Sequence, residues 1–139
     1  MIVLDTNVLS ESFRADASPQ VVAFVASTRD VAITATSVFE LLEGASRLPE
    51  GRRRRAIVDS IERVLDAFSG RVFAYTGATA RLQAGLAATR RSAGRPIATE
   101  DGMIAATCLE HGATLATPNT RDFAGLGIEL VNPWEHSRD

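Results

Sequence analysis

Four stretches of the chain place an acid at or near the point where an apolar run gives way to helical spacing. Asp5 follows Ile2-Val3-Leu4, Glu40 follows Val31-Ala32-Ile33-Thr34, Asp101 stands at the head of a helix, and Asp122 lies shortly beyond Thr114-Leu115-Ala116-Thr117. Each has a modest local explanation. Asp is among the best N-cap residues, which alone accounts for Asp5. Ser37-Val38-Phe39-Glu40 fits a capping box in which the glutamate reaches back to the cap amide. Asp101 suits the positive end of a helix dipole, and Asn119 with Asp122 fits the cap of a short turn. Their coincidence is what needs another reason. If the runs are neighbouring parallel strands, all four segments open at the sheet edge where such folds bind ligands.

The register of Asp101 adds to this. Asp101, Ile104, Ala105 and Cys108 share one helical stripe, so the carboxylate faces the core. A charge aimed inward needs a cation beside it, either a metal ion or an arginine. With two histidines and one cysteine, the chain cannot assemble the usual nitrogen and sulfur set for zinc. Oxygen donors suit a hard cation, Mg²⁺ or Mn²⁺. Cys108 is expected to be a small core residue, and Glu43 to lie on the more exposed side of its helix.

The elements that must position these acids can be read in order. Ile2-Val3-Leu4 has no polar alternation, which predicts a strand covered on both faces. Helical spacing follows to about Phe13. Ser18 and Pro19 open a second helix reaching Thr28, and Val31 to Thr34 form a second strand. Helices are expected from Val38 to Leu48 and from Arg52 to Phe68, the latter with Ile57, Ile61, Val64 and Leu65 on its apolar face. Val72 to Tyr75 predict a third strand and Ala78 to Arg91 a long helix. Thr99 is the expected cap of the helix from Glu100 to His111, with Gly112 as its stop. Thr114 to Thr117 and Ile128 to Val131 complete about five strands. Strands alternating with helices predict a single α/β domain over residues 1–139, with a mostly parallel sheet flanked by helices.

Composition bounds the function. The chain has 139 residues and a net charge of −2, which argues against a general nucleic-acid binder. All 15 basic residues are arginine, however, and they cluster at Arg52 to Arg55 and at Arg90, Arg91 and Arg95. These are candidate contacts to a phosphate backbone, with a solvated helix face as the plainer account of the first cluster. No stretch is apolar over a membrane-spanning length, and no signal-like segment opens the chain, so cytoplasm is expected.

The whole pattern resembles the PIN-domain family, in particular VapC-type and FitB-like toxins of type II toxin–antitoxin pairs. The matching pieces are Ile2-Val3-Leu4-Asp5-Thr6-Asn7-Val8-Leu9-Ser10-Glu11, Glu40-Leu41 with Gly44, Asp101-Gly102-Met103-Ile104-Ala105-Ala106-Thr107, Thr117-Pro118-Asn119-Thr120-Arg121-Asp122-Phe123, and Asn132-Pro133-Trp134. The resemblance implies a metal-dependent endoribonuclease that leaves a 5′-phosphate and a 3′-hydroxyl. It makes Asp5, Glu40 and Asp101 the metal-binding carboxylates. Relatives often carry aspartate where Asn119 stands, so Asp122 is expected as the fourth acid and Asn119 as a neutral ligand or water-positioning group. Thr6 and Thr117 are expected to order the carboxylates through their hydroxyls. A VapB-like antitoxin, an RNA substrate, DNA bound only through the antitoxin, and a homodimer are the partners implied.

Two readings from other classes compete. A phosphotransferase using Asp5 as nucleophile would carry a second aspartate two residues on, where this chain has Asn7, and a lysine, of which it has none. A non-catalytic module could use its carboxylates only to engage a partner's arginine.

Overall fold

The central apolar runs become strands because both faces of each are covered, while Val72 on an edge strand stays exposed. In the computed structural model, which describes residues 1–137, β1 (Ile2–Leu4) leads into α1 (Thr6–Glu11), and α2 (Pro19–Ser27) is followed by β2 (Val31–Thr34) and α3 (Ala35–Ser46). Next come α4 (Arg52–Ala67), β3 (Val72–Phe73), α5 (Gly77–Ser92), α6 (Thr99–His111) and β4 (Thr114–Ala116). A 3₁₀ turn (Thr120–Phe123), β5 (Leu130–Val131) and a second 3₁₀ turn (Pro133–Glu135) complete the order.

The strands form a five-stranded sheet in the order β3-β2-β1-β4-β5. Every pairing is parallel, with Ile2 opposite both Val31 and Thr114, and Leu4 opposite Ala116. From β1 the chain moves outward to β2 and β3, then returns to the other side for β4 and β5. The crevice beyond the carboxyl ends of β1 and β4 is therefore a topological switch point, where open parallel sheets take ligands.

Successive residues of each strand face opposite layers. Leu4, Val31, Ile33 and Ala116 pack with Val8, Phe24, Leu41, Ile61 and Phe68 on one side. Val3, Ala32 and Leu115 pack with Ile104, Ala105, Cys108 and Phe123 on the other. The stripe read from Ile104, Ala105 and Cys108 is fully buried, and Cys108 is a core residue. In α2, Val21 and Phe24 are buried while Val22 is exposed.

Several boundaries move for physical reasons. Helix α3 starts at Ala35, because Thr34 at the strand end is extended and its Oγ1 accepts from the Ser37 amide at 3.1 Å. Ser37 is thus inside the helix, and the capping box assigned to Ser37 and Glu40 does not form. Ala98, not Thr99, occupies the cap position of α6, without a side-chain bond. Strand β3 ends at Phe73, and Thr76 caps α5 reciprocally with Thr79, so that helix begins at Gly77. Strand β5 is confined to Leu130–Val131. Gly112 closes α6 at φ 61°, a left-handed conformation that glycine adopts without strain.

Candidate active site

Asp5 ends β1 and opens α1, and it is 3% exposed. One carboxylate oxygen, Oδ1, accepts from the Thr6 amide at 2.8 Å. The other, Oδ2, accepts from the Thr117 hydroxyl at 2.7 Å. Thr117 is fully buried just past β4, and its Oγ1 also accepts from the Asn119 amide at 3.1 Å. The cap account of Asp5 is therefore correct but partial, since the second oxygen ties the carboxylate to a strand end 112 residues away. Burial raises the pKa of Asp5, against the lowering effect of bonds from Thr117, Thr6 and Asn7.

Glu40 is half-buried in the second turn of α3. Its Oε1 accepts from the Thr6 hydroxyl at 2.8 Å, and that hydroxyl also lies 2.8 Å from Ser37 Oγ. Thr6 therefore touches both acids, through its amide to Asp5 and its hydroxyl to Glu40. The Glu40 carboxyl is held above the usual range, first by burial and then by the charges of Asp5 and Glu100, while the Thr6 bond opposes the shift.

Asp101 lies in the first turn of α6, half-buried, with its carboxyl pushed up to about 6. Burial is the main cause, and the charges of Asp5, Asp122, Glu40 and Glu100 add to it. Thr6 joins Asp5 to Glu40, and Asp101 and Asp122 bound one cavity, so acids from the end of β1, α3, α6 and the 3₁₀ turn face one edge. Asp122 is exposed on the turn, its amide donating to the Asn119 carbonyl at 3.0 Å. Asn119 is exposed and its side chain makes no cap bond. Glu43 is half-buried one turn beyond Glu40 and ion-paired with Arg47 at 2.8 Å. Glu100 was not singled out from the sequence, where the adjacent pair Glu100-Asp101 was the only signal.

None of Asp5, Glu40, Glu100, Asp101 and Asp122 joins an ion pair among the described residues. Nor is any set of three or more Asp, Glu, His or Cys side chains already closed into a metal-holding group among them. The acids feel one another across a shared edge without forming a finished cage.

The helix pair behind the site fixes its far wall. Gly102 is buried, and a Cβ there would sit 3.0 Å from Gln83 Nε2. Its small size lets Gln83 of α5 donate to the Thr99 carbonyl at 2.9 Å, while Tyr75 Oη donates to Gln83 Oε1 at 2.5 Å. Arg90, expected to contact phosphate, is instead 7% exposed. Its Nη2 donates to the Asp122 and Ala124 carbonyls at 2.6 and 3.0 Å, and Nη1 reaches the Arg95 carbonyl at 3.5 Å. It tethers the Asp122 turn to α5 and is not free for a ligand. Arg91 and Arg95 are exposed, as are Arg52, Arg53 and Arg55 at the start of α4.

Comparison with known proteins finds relatives over nearly the whole chain. A family model described as PIN domain matches residues 2–128. The chain is 38% identical over 138 residues to VapC ribonuclease Y4jK of Sinorhizobium fredii, covering 97% of this chain and 99% of that protein. It is 35% identical over 137 residues to toxin FitB of Neisseria gonorrhoeae, covering 96% and 99%. A solved structure of FitAB bound to an IR36 DNA fragment superposes with a TM-score of 0.92 at 34% identity, covering 99% of this chain and 98% of the other.

Proposed function

Since the chain belongs to the PIN-domain family, we propose that it is the toxin of a type II toxin–antitoxin pair and hydrolyses RNA phosphodiesters with Mg²⁺ or Mn²⁺. The reading rests on one observation above all: Thr6 bonds both Asp5 and Glu40, Asp101 and Asp122 bound one cavity, and none of the four has an ion-paired cation among the described residues. Their donor atoms are all carboxylate oxygens, the chemistry a hard divalent ion prefers. Asp5, Glu40 and Asp101 would hold it, with Asp122 as the fourth acid and Asn119 as a neutral group beside it. When bound, such an ion supplies a nucleophile of lowered pKa at neutral pH and offsets charge on the phosphate.

The chain's own residues do the rest. The Thr6 amide and the Thr117 hydroxyl fix both oxygens of Asp5, so the carboxylate is oriented before any ligand arrives. Thr6 does the same for Glu40. Glu40, held by the Thr6 hydroxyl beside Asp5, is also placed to orient the attacking water or accept its proton. Asp122, on its exposed turn, can orient that water from the opposite wall.

The relatives named above also support a partner. FitAB is solved with DNA, and by the same logic this chain pairs with a VapB-like antitoxin, contacts DNA only through it, works as a homodimer and acts in the cytoplasm. Among the described residues no helix is long and apolar enough to cross a membrane.

The test is cleavage of RNA by antitoxin-free protein with Mg²⁺ or Mn²⁺ and its loss with EDTA. No cleavage with either ion would overturn the assignment. Thr117→Val should keep the fold and lower divalent-dependent cleavage by about 10- to 100-fold, because Asp5 loses the donor that orients Oδ2. Circular dichroism checks the fold and a titration of activity against Mg²⁺ shows whether ion affinity has dropped.

A further inference from the structure

Beside the acids lies a cavity of about 320 Å³ bounded by Arg90, Arg95, Pro96, Ile97, Asp101 and Asp122, together with Ala98. We propose that it is the subsite for the nucleotide adjoining the scissile phosphodiester, with the Arg95 guanidinium holding that nucleotide's phosphate. The inference rests on the RNA-cleaving reading above. Its volume is at the low end of ligand pockets, roughly 300–1,000 Å³, which suits one nucleotide. Because Asp101 and Asp122 belong both to this cavity and to the acid edge, whatever fills it lies against the reacting bond.

Arg95 has the chemistry for a phosphodiester. It is exposed, and among the described residues its guanidinium engages only the Arg121 carbonyl, through Nη2 at 3.2 Å. The remaining donors of its planar fork match phosphate oxygens. The loop that carries it is set in advance. The Arg95 amide donates to the Arg90 carbonyl at 2.9 Å, and Pro96 fixes the next φ. Buried Arg90 meanwhile holds the opposite wall at the Asp122 carbonyl. A wall ordered before binding loses less entropy when a ligand arrives.

The other flank of the acids is unsuited to RNA. There a cavity of about 290 Å³ is bounded by Phe39, Glu40, Glu43, Arg47 and Glu100. Three of those residues are glutamates, and its one arginine is already paired with Glu43 at 2.8 Å. A polyanion is repelled on that side and drawn toward Arg95. A cationic peptide would show the reverse preference.

The test measures binding without catalysis. Fluorescence anisotropy of a labelled short single-stranded RNA in EDTA, over a salt series, is compared for the parent, Arg95→Ala, Arg95→Lys and the neighbouring control Arg91→Ala. Arg95→Ala should weaken binding about tenfold, the effect of losing one charge-assisted contact. It should also flatten the salt dependence by about one phosphate contact. Arg95→Lys should recover part of the affinity and Arg91→Ala should match the parent. With Mg²⁺, KM should rise more than kcat falls. Should Arg95→Ala prove unstable, Arg95→Gln answers the same question while keeping side-chain length. Unchanged affinity and slope in Arg95→Ala, with a parent that still cuts RNA, would overturn the subsite alone. A parent that neither binds nor cuts RNA would overturn both readings. An Arg95→Ala variant that loses binding to a labelled oligoglutamate peptide, with RNA binding intact, would make the cavity a protein-binding site and end the proposal.

Discussion

Asp101→Asn is expected to lower RNA cleavage by about a thousandfold while raising the melting temperature of the metal-free protein by a few degrees. The two effects have one origin. In the folded chain the Asp101 carboxyl is pushed from 3.8 up to about 6 by burial and by the neighbouring charges of Asp5, Asp122, Glu40 and Glu100. The fold therefore binds this proton more tightly than the unfolded chain does. The stability linked to it is fully present below the unfolded value and is lost as pH rises through about 6. At neutral pH the ionised group works against folding. After allowance for solvent screening of a half-exposed side chain, relief of that strain is on the order of 1–2 kcal/mol.

Asparagine removes the charge, keeps the shape and cannot serve as an anionic ligand. Differential scanning fluorimetry in EDTA should find the parent more stable near pH 5 than near pH 7.5. The gap should narrow in Asp101→Asn. Asp5 and Glu40, whose pKa values are also raised, add to the parent's trend with the same sign. A variant that melts lower than the parent, or one that cuts RNA at the parent's rate, would contradict the account.

Arg90→Met should reduce stability by about 3 kcal/mol, with cleavage falling as well. The guanidinium is 7% exposed, and three backbone carbonyls receive its hydrogen bonds. Methionine fills much of the volume but leaves the Asp122 and Ala124 carbonyls without their donor. Each hydrogen bond from a charged donor is worth about 1.5–3 kcal/mol, and a carbonyl left unpaired in the interior adds its own penalty. Arg90→Lys should recover only part of the loss, because a single ammonium nitrogen can serve the Asp122 and Ala124 carbonyls but lacks the second guanidinium nitrogen that reaches the Arg95 carbonyl. Urea denaturation gives the stability. A steady-state assay at a temperature where the variant stays folded shows whether freeing the Asp122 turn slows cleavage beyond the effect of unfolding. Wild-type stability in Arg90→Met would remove the tether from the account.

Much of the sheet was legible because its strands are covered on both sides. Ile2-Val3-Leu4 and Val31-Ala32-Ile33-Thr34 have no polar alternation, and in the fold β1 and β2 bury successive residues in opposite layers. The edge that carries Asp5 and Asp101 could be read from where those runs stop and from the i, i+3, i+4 register of α6. What escaped depended on choices that local sequence leaves nearly equal. Thr34 and Ser37 are both good caps, and only the end of the β2 pairing decides that Thr34 serves. Glu40 looked like half of a capping box, while its real partner, Thr6, comes from another element. Arg90 read as a surface cation beside Arg91 and Arg95, since nothing in a run of arginines tells which one turns inward. The role of Glu100 in the charge coupling follows from three-dimensional proximity alone.

Helix α5 reaches two places that matter. Gln83 grips the opening of α6 at the Thr99 carbonyl, and Arg90, about two turns further along, grips the loop bearing Asp122. The spacing between Asp101 and Asp122 is therefore slaved to a single rod at the back of the molecule. A shift of that rod would be felt at both acids together, since each is moored to it by a hydrogen bond to its own backbone neighbourhood.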